Sequence, residues 1–114
     1  MRIQIFGDDR ETVLERAREL VDEAVAQAGL TDVEIEVVAV HNDDEAKSVR
    51  SLGAPTVRID GFDAEYAERE PPETTAGARY YSTPEGWQRL PERGMIVFAI
   101  KEAQARAARK QTAS

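Results

Sequence analysis

Between Arg2 and Val40 the apolar residues change period twice, and this double switch commits the chain to a β-α-β start. Arg2 to Phe6 reads R-I-Q-I-F, with Ile3 and Ile5 alternating against polar neighbours, as in a strand. Gly7-Asp8-Asp9 breaks the alternation. From Thr12 the apolar residues return at three- and four-residue steps, as Val13, Leu14, Ala17, Leu20, Val21, Ala24, Val25 and Ala28, which is one face of a helix. Asp8 or Asp9 is the expected cap of that helix and Gly29 its expected C′ residue. Val33 to Val40 then alternates and becomes continuously apolar and β-branched, a strand entering the interior of a sheet. A strand pair joined through a helix is parallel and right-handed.

The remainder is read with the same rules. Asn42, Asp43 and Asp44 cap a short helix through Ala46, Val49 and Leu52, closed by Gly53. Pro55 opens a further strand that runs to the turn pair Asp60-Gly61. Residues 61–77 lack a period and carry Asp63, Glu65, Glu68, Glu70 and Glu73 against Arg69 alone. A connection of that length is either functional or partly disordered, and its acids offer a landing place for a basic partner or a plain solvated surface. Ala78 to Tyr81 predicts a fourth strand, and a last helix begins near Pro91 or Glu92 with Met95, Ile96, Ala99, Ile100 and Ala103 inward. The fold class expected is α/β, a mixed four-stranded sheet in the order β-α-β-α-β-β-α with helices on both faces. One domain is expected over residues 1–104, with a frayed tail over 105–114 where the apolar face is lost.

The chain has 114 residues, a formal charge of -7 and no cysteine. The missing thiol excludes disulfides, thiolate nucleophiles and cysteine zinc sites. The acidic balance argues against nucleic acid or an anionic membrane as partner. With no apolar run of membrane-spanning length and no signal-peptide pattern at the start, a cytoplasmic protein is expected, its partner an unknown protein or peptide and its cofactor none.

The stretch Leu52-Gly53-Ala54-Pro55-Thr56-Val57-Arg58-Ile59-Asp60-Gly61 resembles the thioredoxin-like superfamily, in which a G-x-P-T-x-x-x-x-G segment with a cis proline opens the third strand. More narrowly, the chain is similar to small thioredoxin-fold proteins that begin strand-x-G-C-P and later carry C-R-x-Y-R-T-x-x-G. Those stretches here read Phe6-Gly7-Asp8-Asp9 and Ala78-Arg79-Tyr80-Tyr81-Ser82-Thr83-Pro84-Glu85-Gly86. Asp8 stands at the attacking cysteine, Asp9 at the following proline and Ala78 at the later cysteine. A carboxylate cannot attack a sulfur, so the resemblance implies a redox-inactive protein that keeps the geometry alone.

Gly7, Asp8, Asp9, Ala54, Pro55 and Thr56 are therefore the candidate binding residues. The resemblance implies that Ala54 presents its backbone N–H and C=O to an extended peptide, which the two aspartates would bias toward basic sequences. Asp8 and Asp9 also suit a metal-dependent enzyme, or simple helix capping. A third reading sets Asp8, Asp9, Asp60 and Lys101 against the pattern of receiver domains, with Asp60 as phosphoacceptor. His41 has no ligand-spaced histidine partner. Of the aromatics, one of Tyr80 and Tyr81 is expected inward and one outward, with Trp87 filling the space beneath a loop.

Overall fold

In the computed structural model, which describes residues 1–112, the chain runs β1 (Arg2–Gly7), α1 (Thr12–Gln27), β2 (Glu34–Ala39), α2 (Asp43–Val49), β3 (Leu52–Ala54), β4 (Thr56–Ile59), β5 (Phe62–Asp63), β6 (Thr75–Ala78), β7 (Tyr81–Thr83), β8 (Gly86–Gln88) and α3 (Arg93–Thr112). Four strands form a mixed sheet in the order β2-β1-β4-β5. β1 and β2 are parallel, from Arg2 opposite Glu34 to Gly7 opposite Ala39. β4 runs antiparallel to β1, and β5 antiparallel to β4. The Ala54–Pro55 peptide at the head of β4 is cis.

Period-two alternation sorts β1 between two layers. Ile3 and Ile5 join Leu14, Ala17, Val21 and Ala24 of α1 and Ile96, Val97, Ile100 and Ala103 of α3 in the main core. Phe6 points the other way, into a small cluster with Val40 and Ala46 of α2. Helices thus cover both faces, and the α1 stripe is the one its sequence predicts. The end of α1 is a Schellman motif, with Gly29 N–H on Ala26 O and Leu30 N–H on Val25 O. No helix among the described residues is long and apolar enough to cross a membrane.

Three sequence expectations are corrected. The fourth sheet strand is Phe62–Asp63, not Ala78–Tyr81, because Asp60 (φ 51°) and Gly61 (φ 88°) form a two-residue turn that returns the chain at once. The segment from Thr75 instead pairs in parallel with β3, and Tyr81 begins a separate hairpin, β7–β8. α2 ends before Gly53, at Arg50 in the left-handed region, because the buried Arg58 guanidinium takes the Val49 and Arg50 carbonyls at 3.4 and 2.6 Å. α3 runs to Thr112, and its last buried residue among those described is Ala103; of the expected tail over 105–114, residues 113–114 lie outside the described residues.

Candidate functional site

The candidate residues converge where β1 ends beside β3 and β4. A Cβ built on Gly7 would stand 3.1 Å from Leu14 Cδ1 and 3.6 Å from Ala54 Cβ, so the Gly7 turn packs directly on the proline segment. Neither aspartate caps α1. The N-cap is Glu11, without a side-chain bond. Asp8 turns back instead: its Oδ1 accepts the Arg10 N–H and Nε, both at 2.9 Å, and its Oδ2 accepts Arg10 Nη2 at 2.7 Å. This combines a local aspartate turn with a two-point guanidinium grip. The grip holds the Asp8 carboxyl far below the ordinary carboxylate range. Asp8 is therefore a fixed anion and cannot act as a proton donor near neutral pH.

Asp9 faces His41, whose Nε2 lies 2.7 Å from Asp9 Oδ1. On the other side of the ring, His41 Nδ1 is 3.3 Å from Glu45 Oε2, and Glu45 Oε2 also accepts the His41 backbone N–H at 2.7 Å. The hydrogen bond to Asp9 raises the His41 pKa above its ordinary value. Asp9 and Glu45 on the two ring nitrogens favour the protonated ring, and in that form neither nitrogen has a lone pair for a base or a metal ligand. One ligand atom each from Asp8, Asp9 and His41 can be chosen within 4.8 Å of one another, so the donor types suit a divalent cation. A metal there would compete with Arg10 for Asp8 and with a proton for His41.

Ala54 does not offer a free edge. Its carbonyl accepts the Arg79 N–H at 2.9 Å and Arg89 Nη2 at 3.0 Å, and it pairs with Ala78 across β6. On this side β3 is paired by residues 75–78 of the same chain. Gly53 permits this closeness: it sits at φ +115°, and a Cβ there would meet Arg79 Cβ at 2.9 Å. Pro55 is buried, its carbonyl capped by the Tyr81 hydroxyl at 2.6 Å. Thr56 is buried too; its Oγ1 donates to Gly53 O at 2.6 Å and accepts the Leu52 N–H at 3.1 Å.

The remaining candidates separate. Because β4 is antiparallel to β1, Asp60 lies at the beginning of β1, bonded to Arg2, with the length of the strand, roughly 20 Å, between it and Asp8. Lys101 lies on the exposed side of α3. Among the described residues, Asp8 and Asp9 do not gather around Asp60. Four acids of the loop are paired within the chain, Asp63 and Glu65 with Arg79, Glu68 with Arg106 and Glu70 with Arg58, while Glu73 is exposed. Of the aromatics, Tyr81 is fully buried and Tyr80 is 54% exposed, as alternation predicts, whereas Trp87 is 70% exposed on β8 rather than beneath a loop.

Sequence reasoning missed the buried Asp63–Arg79 pair and the Asp9–His41 contact. The second left a trace. Gly7 and Ala39 are paired ends of adjacent parallel strands, and Asp9 and His41 each follow by two residues. No protein-family model matches this sequence, and no curated protein or solved structure matches it significantly.

Proposed function

We propose that this chain is a redox-inactive protein of thioredoxin fold that works as a binding module. The sheet order β2-β1-β4-β5, with one parallel and two antiparallel pairs, supports the fold. The absence of cysteine excludes thiol exchange. The observation that carries the binding role is the β7–β8 hairpin. Tyr81 anchors it in the interior while Tyr80 and Trp87 stand exposed beside it. Exposed aromatics on a rigid support are the residue types that dominate protein interfaces. The test is a photo-crosslinking side chain placed at Trp87 in the producing cell. A discrete adduct that disappears when Tyr80→Ala is added supports the reading; no adduct at position 87, with a good yield of folded protein, refutes it.

A second reading, a metal-dependent enzyme using Asp8 and Asp9, draws on the approach of these residues to His41. Manganese titration separates the two. Selective broadening of the Asp8, Asp9 and His41 resonances at low metal favours the enzyme, and uniform weak broadening over the acidic surface favours the module.

A further inference from the structure

The sheet ends at β2 with nothing paired to its outer side among the described residues. Glu34 N–H donates to Met1 O at 2.9 Å and Val40 N–H to Gly7 O at 2.8 Å, both toward β1. Strand geometry repeats every two residues, so Glu36 and Val38 also face β1, while the N–H and C=O groups of Ile35, Val37 and Ala39 face outward. The opposite edge is different: β5 is two residues long and its own chain folds back on it through a bridge from Asp63 to Ala67.

Side chains give this open edge a character. Val37 is 42% exposed and lines a groove of about 450 Å³ together with Leu14, Asp9, Glu15, Arg18 and Glu19. Arg18 is engaged by Asp22 at 3.4 Å, and Arg2 by Glu36 at 2.8 Å. Glu15, Glu19 and Glu34 make no ion pair among the described residues. The edge thus combines outward backbone bonds, an apolar floor and acidic side chains on both sides of the sheet, with Glu34 beside Arg2 on one and Glu15 and Glu19 on the other.

We propose that β2 is a docking strand for an extended basic segment of a partner protein, which adds to the sheet edge. An apolar side chain of that segment would enter the groove over Val37 and Leu14, with Lys or Arg at alternate positions reaching Glu15, Glu19 and Glu34. Main-chain hydrogen bonds to Ile35, Val37 and Ala39 supply binding, and the charges supply the sign preference. A second copy of this chain is disfavoured as occupant. It would bring the Glu15, Glu19 and Glu34 charges of one molecule toward the same acidic surface of another, on molecules that each carry -7. This surface is separate from the β7–β8 hairpin, so either reading can fail without the other.

The experiment is amide hydrogen exchange on the full chain, with a short peptide alternating Lys with Val as probe. With the peptide at about ten times its dissociation constant, the Ile35, Val37 and Ala39 amides should exchange about tenfold more slowly. The Glu36 and Val38 amides, already bonded to β1, should change little. The effect should vanish with a peptide N-methylated on alternate amides and with a Glu-for-Lys peptide. Val37→Pro removes an outward donor without touching the bonds to β1 and should abolish protection. If that variant fails to fold, Glu15→Lys with Glu19→Lys, on the exposed face of α1, should weaken binding about tenfold and leave the fold intact. Unchanged exchange at the three outward amides would overturn the proposal. So would equal protection by the N-methylated peptide, or protection that rises with protein concentration alone, which would identify a second copy.

Discussion

Arg79 and Asp63 form a fully enclosed two-point ion pair, with Nη1–Oδ1 at 2.7 Å and Nη2–Oδ2 at 2.8 Å. The pair joins the segment that seals Ala54 to the second strand of the β4–β5 hairpin. Its environment is complete. Asp63 Oδ2 also accepts the Glu65 and Tyr66 N–H groups, and the guanidinium stacks on the Tyr81 ring at 4.4 Å. Removing one partner strands the other charge in the interior, which costs about 3–5 kcal/mol. Arg79→Met should lower the urea-derived unfolding free energy by that amount. Adding Asp63→Asn should restore about 1 kcal/mol or more, because the amide oxygen still receives a backbone N–H while the stranded charge is gone. A loss below about 1 kcal/mol for Arg79→Met would show that the pair contributes little.

This pair also shows where sequence reading stops. α1 was legible because Leu14, Ala17, Val21 and Ala24 carry their burial in their own spacing. The parallel β1–β2 pair followed from the helix between its strands. Asp63 was read as one acid among several in an aperiodic loop, since its partner lies 16 residues away. Glu70 and Arg58 are 12 apart, and burial of a strand arginine between Val57 and Ile59 has no signature in period or composition. A two-residue strand such as Phe62–Asp63 is too short to show any period at all. Only the Asp60-Gly61 turn announces it. In the candidate region, the grip of Arg10 on Asp8 and the bonds of Arg79 and Arg89 to the Ala54 carbonyl have no such signature either.

Trp87 is the sole tryptophan, and its exposure makes it a direct reporter. Its emission should be that of a water-exposed indole and open to acrylamide quenching. Trp87→Ala should change stability by no more than about 0.5 kcal/mol, as for other exposed positions. A blue, quencher-resistant emission in the isolated protein would mean that the hairpin packs against something else.

Gly29 and Gly53 both sit at positive φ, with different surroundings. At Gly29 (φ +72°) an added Cβ meets nothing within 4 Å, so Gly29→Ala should cost only the left-handed penalty, about 1–2 kcal/mol. At Gly53 the same methyl would meet Arg79 Cβ at 2.9 Å and the Gly77 carbonyl at 3.2 Å, both held by β6 pairing. Gly53→Ala should therefore cost clearly more than Gly29→Ala in parallel urea titrations. Equal losses would mean that the β3–β6 contact is loose.

His41, the only histidine, gives the site a titration that one nucleus can follow. Its pKa is raised above 6.5, first by the hydrogen bond to Asp9 and then by the charges of Asp9 and Glu45; burial and the Arg10 charge oppose the rise. The folded state therefore holds this proton more tightly than the unfolded chain does. The resulting stabilisation is complete below pH 6.5 and is lost as pH climbs through the folded-state value. Asp8 behaves oppositely. Its pKa lies below 3.8 because of the Arg10 grip, so its contribution is present above pH 3.8 and is lost in stronger acid, as pH falls through the folded-state value. Between those limits both pairings hold, and the loops after β1 and β2 stay tied together. The ring-proton titration of the wild type should give a pKa above 6.5, and Asp9→Asn should move it down toward that value. Unfolding measured at pH 6 and again at pH 9 should show a stability difference that shrinks in Asp9→Asn. A wild-type histidine titrating at or below 6.5 would mean that the Asp9–His41 bond does not persist in solution.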